Sequence, residues 1–408
     1  MVDASTKIYP PCTEEVVDEF CPNCGGSGMA IFYRSGNVPV HSVLLMATRE
    51  EALAYPKGVI ELGFCGVCGF IGNLAFDPSL HEYSDRYEET QGYSPTFNAF
   101  HERLSRDLID RFELHEKQIL EIGCGKGDFL HILCELGKNR GVGIDPAYVE
   151  RNRPGGAASE VSFVPEFFTG DYQGPRPDLV ACKMTLEHIP DTAEFVSMVG
   201  RCSRDDRTVF FFQVPDMERI LQDQAFWDVY YEHCSYFTAD SLAYLFRKCG
   251  FKILDTWRDY DDQYLMISAQ RGTDDSQSLS IPPAGREFRA NQVDDFVNKV
   301  HKAIDDWRQV IFRLSSESRR VVIWGGGSKG VTFLNTVDAG RVVEFAVDIN
   351  PYKAGAFMPG TGQETIEPGR LLEIQPDVVI VMNPIYADEI RGLLSGMGLA
   401  PEIMLLGS

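Results

Sequence analysis

Two groupings of residues in this chain have types and spacings suited to chemistry on their own. The first is Tyr230-Tyr231-Glu232-His233, inside an aromatic-rich stretch from Phe226 to Phe237. A histidine titrates near neutrality, which suits removal of a proton from carbon beside a carbonyl. A hydroxyl donor such as tyrosine can then hold the enolate oxygen that forms. The same stretch also reads as an aromatic loop with a satisfied histidine. The second grouping is a pair of C-x-x-C-G turns, Cys21-Pro22-Asn23-Cys24-Gly25 and Cys65-Gly66-Val67-Cys68-Gly69. Two turned thiolate pairs can meet as the corners of a tetrahedron. Four cysteines close the coordination, so Zn2+ bound there is structural. Unrelated pairs or a redox dithiol are the alternatives.

A third grouping is Ile119-Leu120-Glu121-Ile122-Gly123-Cys124-Gly125-Lys126-Gly127-Asp128. An apolar strand carries Glu121 at its end and breaks into a glycine turn, with a helix expected from about Phe129. A second strand, Gly141-Val142-Gly143-Ile144, ends at Asp145. Such a turn suits a dinucleotide, a phosphate or S-adenosylmethionine. Three details favour the sulfonium cofactor: Glu121 would repel a pyrophosphate, the turn is E-x-G-C-G-x-G rather than a clean G-x-G-x-x-G, and Asp145 can accept from both ribose hydroxyls. The pattern resembles the class I methyltransferases. Glu121, Gly123, Cys124, Gly125 and Gly127 would shape the pocket for the cofactor's amino-acid end. Glu166 and Phe167 are candidates for the adenine edge and face.

With 408 residues and 44% hydrophobic content, the chain can build two or three domains, each with its own core. A net charge of -22 repels phosphate backbones, so nucleic acid is not expected as a partner. The same charge attracts a cationic sulfonium; an anionic acceptor would need local Arg or Lys. There is neither a basic start followed by an apolar run nor an apolar stretch of spanning length, so a cytoplasmic protein without membrane contact is expected. The chain has 11 cysteines; the seven outside the paired turns (Cys12, Cys124, Cys134, Cys182, Cys202, Cys234, Cys249) are scattered, as reduced thiols are.

The elements that must position these groups follow from periodicity. Residues 1–80 read as a zinc-binding domain of short strands. Residues 81–270 read as a methyltransferase core with a helical lead-in rich in tyrosine (Tyr83, Tyr87, Tyr93). Its strands are expected near 118–122, 140–144, 178–183, 207–213, 251–257 and 263–269, the last two as a hairpin. The fold class is α/β: a Rossmann-like, mostly parallel sheet with one antiparallel strand. Residues 271–286 read as a polar linker. Residues 287–408 read as a long helix followed by a C-terminal Rossmann-like domain. Val293, Phe296, Val300, Ile304, Trp307, Ile311 and Leu314 recur at spacings of three and four. That face fits either a brace packed on its own chain or a seam between two chains, so a monomer or a homodimer is expected. The second glycine turn, Gly325, Gly327 and Gly330 with Asp348 beyond, fits NAD or a packing turn that lines an acceptor cleft.

Taken together, the paired cysteines, methyltransferase core, E-H-x-x-Y/F loop and C-terminal unit resemble the sugar C-methyltransferases of deoxysugar biosynthesis. The C-terminal likeness rests on Gly325 to Asn335, Val347 to Pro351 and Pro359-Gly360-Thr361. The resemblance implies methyl transfer from S-adenosylmethionine to C3 of a nucleotide-linked 4-keto-deoxysugar. It implies that His233 is the base, Tyr230 assists at the keto oxygen, Glu232 holds a sugar hydroxyl or orients the base, and His188 is the family histidine after the fourth core strand. The chain departs from that family at Met184 and at Glu88-Glu89-Thr90, positions that touch acceptor recognition. Three alternatives are an O- or N-methyltransferase on another small metabolite or polysaccharide unit, a nicotinamide oxidoreductase using the second glycine turn, and an assembly protein without activity.

Overall fold

The computed structural model describes residues 15–80, 86–150, 160–202, 206–272, 283–337 and 339–407. Tyr83, Cys12 and most of the expected linker lie outside these residues.

The central sheet has seven strands. In spatial order they are Phe251–Asp259, Tyr264–Arg271, Val209–Pro215, Leu179–Lys183, Gln118–Ile122, Arg140–Ile144 and Glu160–Val164. Only Tyr264–Arg271 runs antiparallel to its neighbours, as the expected hairpin requires. Strands covered on both faces must be apolar along their whole length, and every residue of Leu179–Lys183 is buried. Helix Asp128–Gly137 follows the glycine turn, and Gly127 enters it with φ 80°. Helix Pro95–Phe112 covers the sheet beside it; the Ser94 hydroxyl accepts from Phe97 N–H and caps its first turn. The edge strand Glu160–Val164 was not expected. It is short, only partly buried, and lacks the apolar run of its neighbours.

A second sheet is antiparallel, in the order Glu15–Phe20, Ser27–Pro39, Lys57–Cys65, Ile71–Asn73, Ser235–Tyr236. Its last strand belongs to the stretch that carries His233. Ser235 pairs with Gly72 and Tyr236 with Ile71, and Asn73 N–H donates to the Cys234 carbonyl at 2.9 Å. The cysteine-bearing domain therefore holds the histidine loop through its own ladder.

The third sheet is parallel, in the order Glu364–Ile366, Val343–Val347, Val321–Trp324, Val378–Val381, Glu402–Leu405. Glu364–Ile366 was also unexpected, being only three residues long. The helix Pro283–Ser316 starts inside the stretch expected as linker. Pro283 stands at its first position, where a missing N–H costs nothing. Its apolar face packs on its own chain: Phe296 and Val300 are buried, and Trp307 meets Phe333 edge-on.

Candidate functional site

A cavity of about 640 Å³ runs from the first glycine turn, past His188 and His233, to the second glycine turn. Residues from all three sheet-bearing parts of the chain line its walls, so the functional side chains are positioned by several elements.

At the first turn, Gly123, Gly125 and Gly127 all have positive φ. A Cβ at Gly123 would lie 2.0 Å from the Thr185 hydroxyl, and one at Gly127 would lie 2.4 Å from the Phe163 ring. Side chains there would collide as well as strain the backbone. Asp145 accepts from Gly125 N–H at 2.8 Å and from Ala147 N–H at 2.7 Å. Each carboxylate oxygen has further lone pairs, so these contacts orient Asp145 and leave it able to accept from hydroxyls. Glu121 is buried, and among the described residues its Oε2 has no hydrogen-bond partner. Burial pushes its carboxyl up, against the pull of Lys183. Lys183 stands on the adjacent strand and shares a sheet face with Glu121, since Glu121 pairs with Ala181, two residues before it. Its ammonium lies 2.9 Å from His101 Nε2 and 3.7 Å from the centre of the Phe129 ring. Burial lowers its pKa, opposed by Glu121. A carboxylate and an ammonium facing one pocket can receive a zwitterion.

In the middle of the cavity, His233 is buried between two rings. Its centroid is 4.4 Å from that of Tyr230 and 4.8 Å from that of His188. His188 Nδ1 is 3.0 Å from the Glu232 carbonyl oxygen, which fixes its ring. Burial holds the His188 pKa down, opposed by Glu232. The Glu232 side chain turns toward the N-terminal domain. Its Oε1 is 3.2 Å from His41 Nδ1, and its Oε2 accepts from Ser42 N–H at 3.0 Å and from the Ser42 hydroxyl. Burial alone would raise its carboxyl, but the bonds to His41 and Ser42 outweigh it and hold the pKa below the ordinary value. The Tyr230 hydroxyl donates to Asp228 at 3.4 Å.

At the far end, Asp348 accepts from Gly326 N–H at 3.0 Å and pairs with Lys353 at 3.1 Å. Gly325, Gly327 and Gly330 line the cavity. Asp228 is paired with Lys329 and, at 2.5 Å, with Arg219. Burial would raise the Asp228 pKa, but these two cations hold it down to about 2. The Ser328 hydroxyl, in the same turn, lies 2.8 Å from the Ser42 hydroxyl oxygen and donates to it, since the Ser42 proton is held by Glu232.

The four paired cysteines come together away from the cavity. Cys21 Sγ is 3.7 Å from Cys68 Sγ, and Cys24 Sγ is 3.6 Å from Cys65 Sγ. Zn–S bonds of about 2.3 Å in a tetrahedron require sulfurs roughly 3.8 Å apart, so the arrangement fits zinc. Gly26 N–H donates to Cys24 Sγ at 3.2 Å and Asn23 Nδ2 to Cys68 Sγ at 3.4 Å.

The expected site residues Glu121, Gly123, Cys124, Gly125, Asp145, His188, Tyr230, Glu232, His233 and Phe167 line the cavity, whereas Gly127 shapes the turn behind it, against the Phe163 ring. Phe167 is 63% exposed. Glu166 is exposed and does not line the cavity. Sequence reasoning missed Lys183, Glu187, His41 and Ser42. A lysine ending an otherwise apolar strand was the signal for the first; His41 and Ser42 carried none, because their role depends on a contact with residue 232.

Residues 97–256 match the family described as a methyltransferase domain, and residues 286–397 match the C-methyltransferase C-terminal domain. The protein is an S-adenosylmethionine-dependent methyltransferase. Among curated proteins, this methyltransferase is 25% identical to C-methyltransferase NovU of Streptomyces niveus over 288 residues, 67% of each chain. It is 32% identical to a ubiquinone biosynthesis O-methyltransferase of Hahella chejuensis over 148 residues, 33% of this chain and 58% of that one. Among solved structures, a Burkholderia thailandensis 1,6-didemethyltoxoflavin-N1-methyltransferase with bound S-adenosylhomocysteine aligns with TM-score 0.34 and 20% identity, over 43% of this chain and 79% of that one. The central sheet of the methyltransferase is the class I Rossmann-like sheet, and among its described residues no helix is long and apolar enough to cross a membrane.

Proposed function

We propose that this methyltransferase methylates carbon next to the ketone of a nucleotide-linked 4-keto-deoxysugar. The single observation that carries the proposal is His233: a buried imidazole in the wall of the same cavity that the first glycine turn opens into. The C-methyltransferase C-terminal domain and the likeness to a C-methyltransferase support carbon as the methylated atom.

S-adenosylmethionine, when bound, supplies a methyl group on a sulfonium. Glu121 and Lys183 are suited to its ammonium and carboxylate, and Asp145 to its ribose. His233 takes the proton from the acceptor carbon, and the C–H electron pair passes into the enolate. His188 and Tyr230 fix the base ring between them. Glu232, held by His41 and Ser42, orients the loop rather than reaching a sugar hydroxyl. Because charge is neutralised when the enolate carbon takes the methyl, the enzyme gains chiefly by positioning. The second glycine turn, with Lys353 and Asn350 beside it, receives the far end of the acceptor. Cys21, Cys24, Cys65 and Cys68 would hold one structural zinc ion.

The test is a mass-resolved assay in deuterated water with a panel of nucleotide-linked 4-keto-deoxysugars. Deuterium entering beside the ketone without cofactor, and a methyl mass gain with it, are expected. Methylation without exchange would instead favour a hydroxyl or nitrogen acceptor, the alternative that the likeness to a ubiquinone O-methyltransferase supports.

A further inference from the structure

Glu187 has no role in the mechanism above, yet it is the most unusual carboxyl in the cavity. It is fully buried, and among the described residues neither side-chain oxygen has a hydrogen-bond partner. Native folds rarely leave a buried polar group in that condition unless a ligand completes it. Glu187 lines the cavity, and one of its carboxyl oxygens lies within 4.8 Å of a ring nitrogen of both His188 and His233.

We propose that Glu187 donates the hydrogen bond that holds the ketone oxygen of the acceptor as it becomes an enolate, on the same side as His233. The inference rests on the C-methylation reading. Its geometry follows from the substrate. A ketone oxygen and the neighbouring carbon are roughly 2.4 Å apart, by ordinary bond lengths and angles. A base about 3 Å from that carbon and a donor about 3 Å from that oxygen, approaching from one side, can stand about 4–5 Å from each other, which a separation of no more than 4.8 Å accommodates. Tyr230 and Tyr236 also stand beside His233, but their hydroxyl protons are directed at Asp228 and at the Tyr230 carbonyl.

To donate, the carboxyl must carry its proton at neutral pH. Burial pushes it up to about 8. The titratable groups facing it are His188 and His233, Cys182 on the strand below, Cys234 and Tyr264. None is a fixed cation that would pull the proton off. The proton balance is simple: His233 takes the carbon proton, Glu187 keeps its own and shares it with the enolate oxygen, and the bond weakens again once the methylated ketone forms.

The test compares solvent deuterium exchange beside the ketone, on the same panel of 4-keto nucleotide sugars, in wild type, Glu187→Gln and Glu187→Leu. Leu removes the donor and should slow exchange by about 100-fold. Gln still donates and should retain most of the exchange, while losing the fall in rate that wild type shows as pH rises through about 8. A difference infrared spectrum of the free enzyme, wild type minus Glu187→Gln, should show a protonated carboxyl at pH about 6.5; it needs no substrate. Exchange at the wild-type rate in Glu187→Leu, or an ionised Glu187 at that pH, overturns the proposal while leaving C-methylation standing. No exchange by wild type on any member of the panel overturns both.

Discussion

Glu232 Oε1 and His41 Nδ1 stand 3.2 Å apart across 191 positions of sequence, with both side chains buried. This contact joins the loop that carries His233 to the domain that carries the cysteines. Removing one partner of a buried hydrogen-bonded contact leaves the other unsatisfied, at a cost of about 1–3 kcal/mol. Glu232→Gln should therefore lower both stability and turnover. The sign of the pH effect follows from the depressed carboxyl. Its contribution is present above the ordinary carboxyl pKa and is lost as pH falls through the depressed one. The gap in urea midpoint between wild type and Glu232→Gln should narrow from pH 7 to pH 4; a gap that stays constant would deny a stabilising role to the ionised carboxylate.

His233→Ala should reduce methylation by about 10²–10⁴-fold, the usual worth of a positioned base. Binding of S-adenosylhomocysteine, measured by calorimetry, should be unchanged. Near-normal turnover in this variant would remove His233 from the chemistry.

Lys183→Met should weaken S-adenosylhomocysteine by about tenfold or more, since a buried charge-assisted hydrogen bond contributes about 1.5–3 kcal/mol. Methylthioadenosine, which lacks the amino-acid end, should bind wild type and variant alike. Equal weakening of both ligands would mean that Lys183 merely supports the pocket.

Glu187 gives a second pH dependence, of opposite sign to that of Glu232. Its folded pKa is raised, so between about 4.5 and 8 the native state holds a proton that the unfolded chain has released. Wild-type stability should fall across that window relative to Glu187→Gln, by a total on the order of 4 kcal/mol. Thermal melts at pH 5 and pH 8.5 measure it; parallel shifts in the two proteins would contradict it.

Chelation should release one zinc ion per chain, read by metal analysis. Ile71–Asn73 lies just beyond Cys65-Gly66-Val67-Cys68 and pairs with Ser235–Tyr236. Loss of metal should therefore cost activity as well as the fold of the N-terminal domain, and Cys21→Ser should reproduce both losses. A fully active metal-free protein would exclude the structural role.

The legible parts of this protein were those written locally. The glycine turn is forced by positive φ at Gly123, Gly125 and Gly127, and the apolar strand before it is forced by burial on both faces, so both were readable from a few residues. The brace helix was readable from its spacing. The strands Glu160–Val164 and Glu364–Ile366 were not, because each is short and takes its stability from the neighbour it pairs with. The same applies to the site. His233 and Asp145 announce themselves by type and spacing. Glu187 sits within a familiar Leu-Glu-His run, and only its burial without a partner distinguishes it. His41 and Ser42 acquire meaning solely from the Glu232 carboxylate, far along the chain.

The hydrogen bonds that join Ser42 to Glu232 and to Ser328 link residues of all three sheet-bearing parts of the chain. During synthesis, residue 232 emerges well before residue 328. The loop that carries His233 thus waits for the last part of the chain before its surroundings are complete. A chain interrupted between His233 and the second glycine turn would carry the first glycine turn and the histidine but an unfinished cavity wall. The cavity is therefore completed only when the last part of the chain has folded onto the first two.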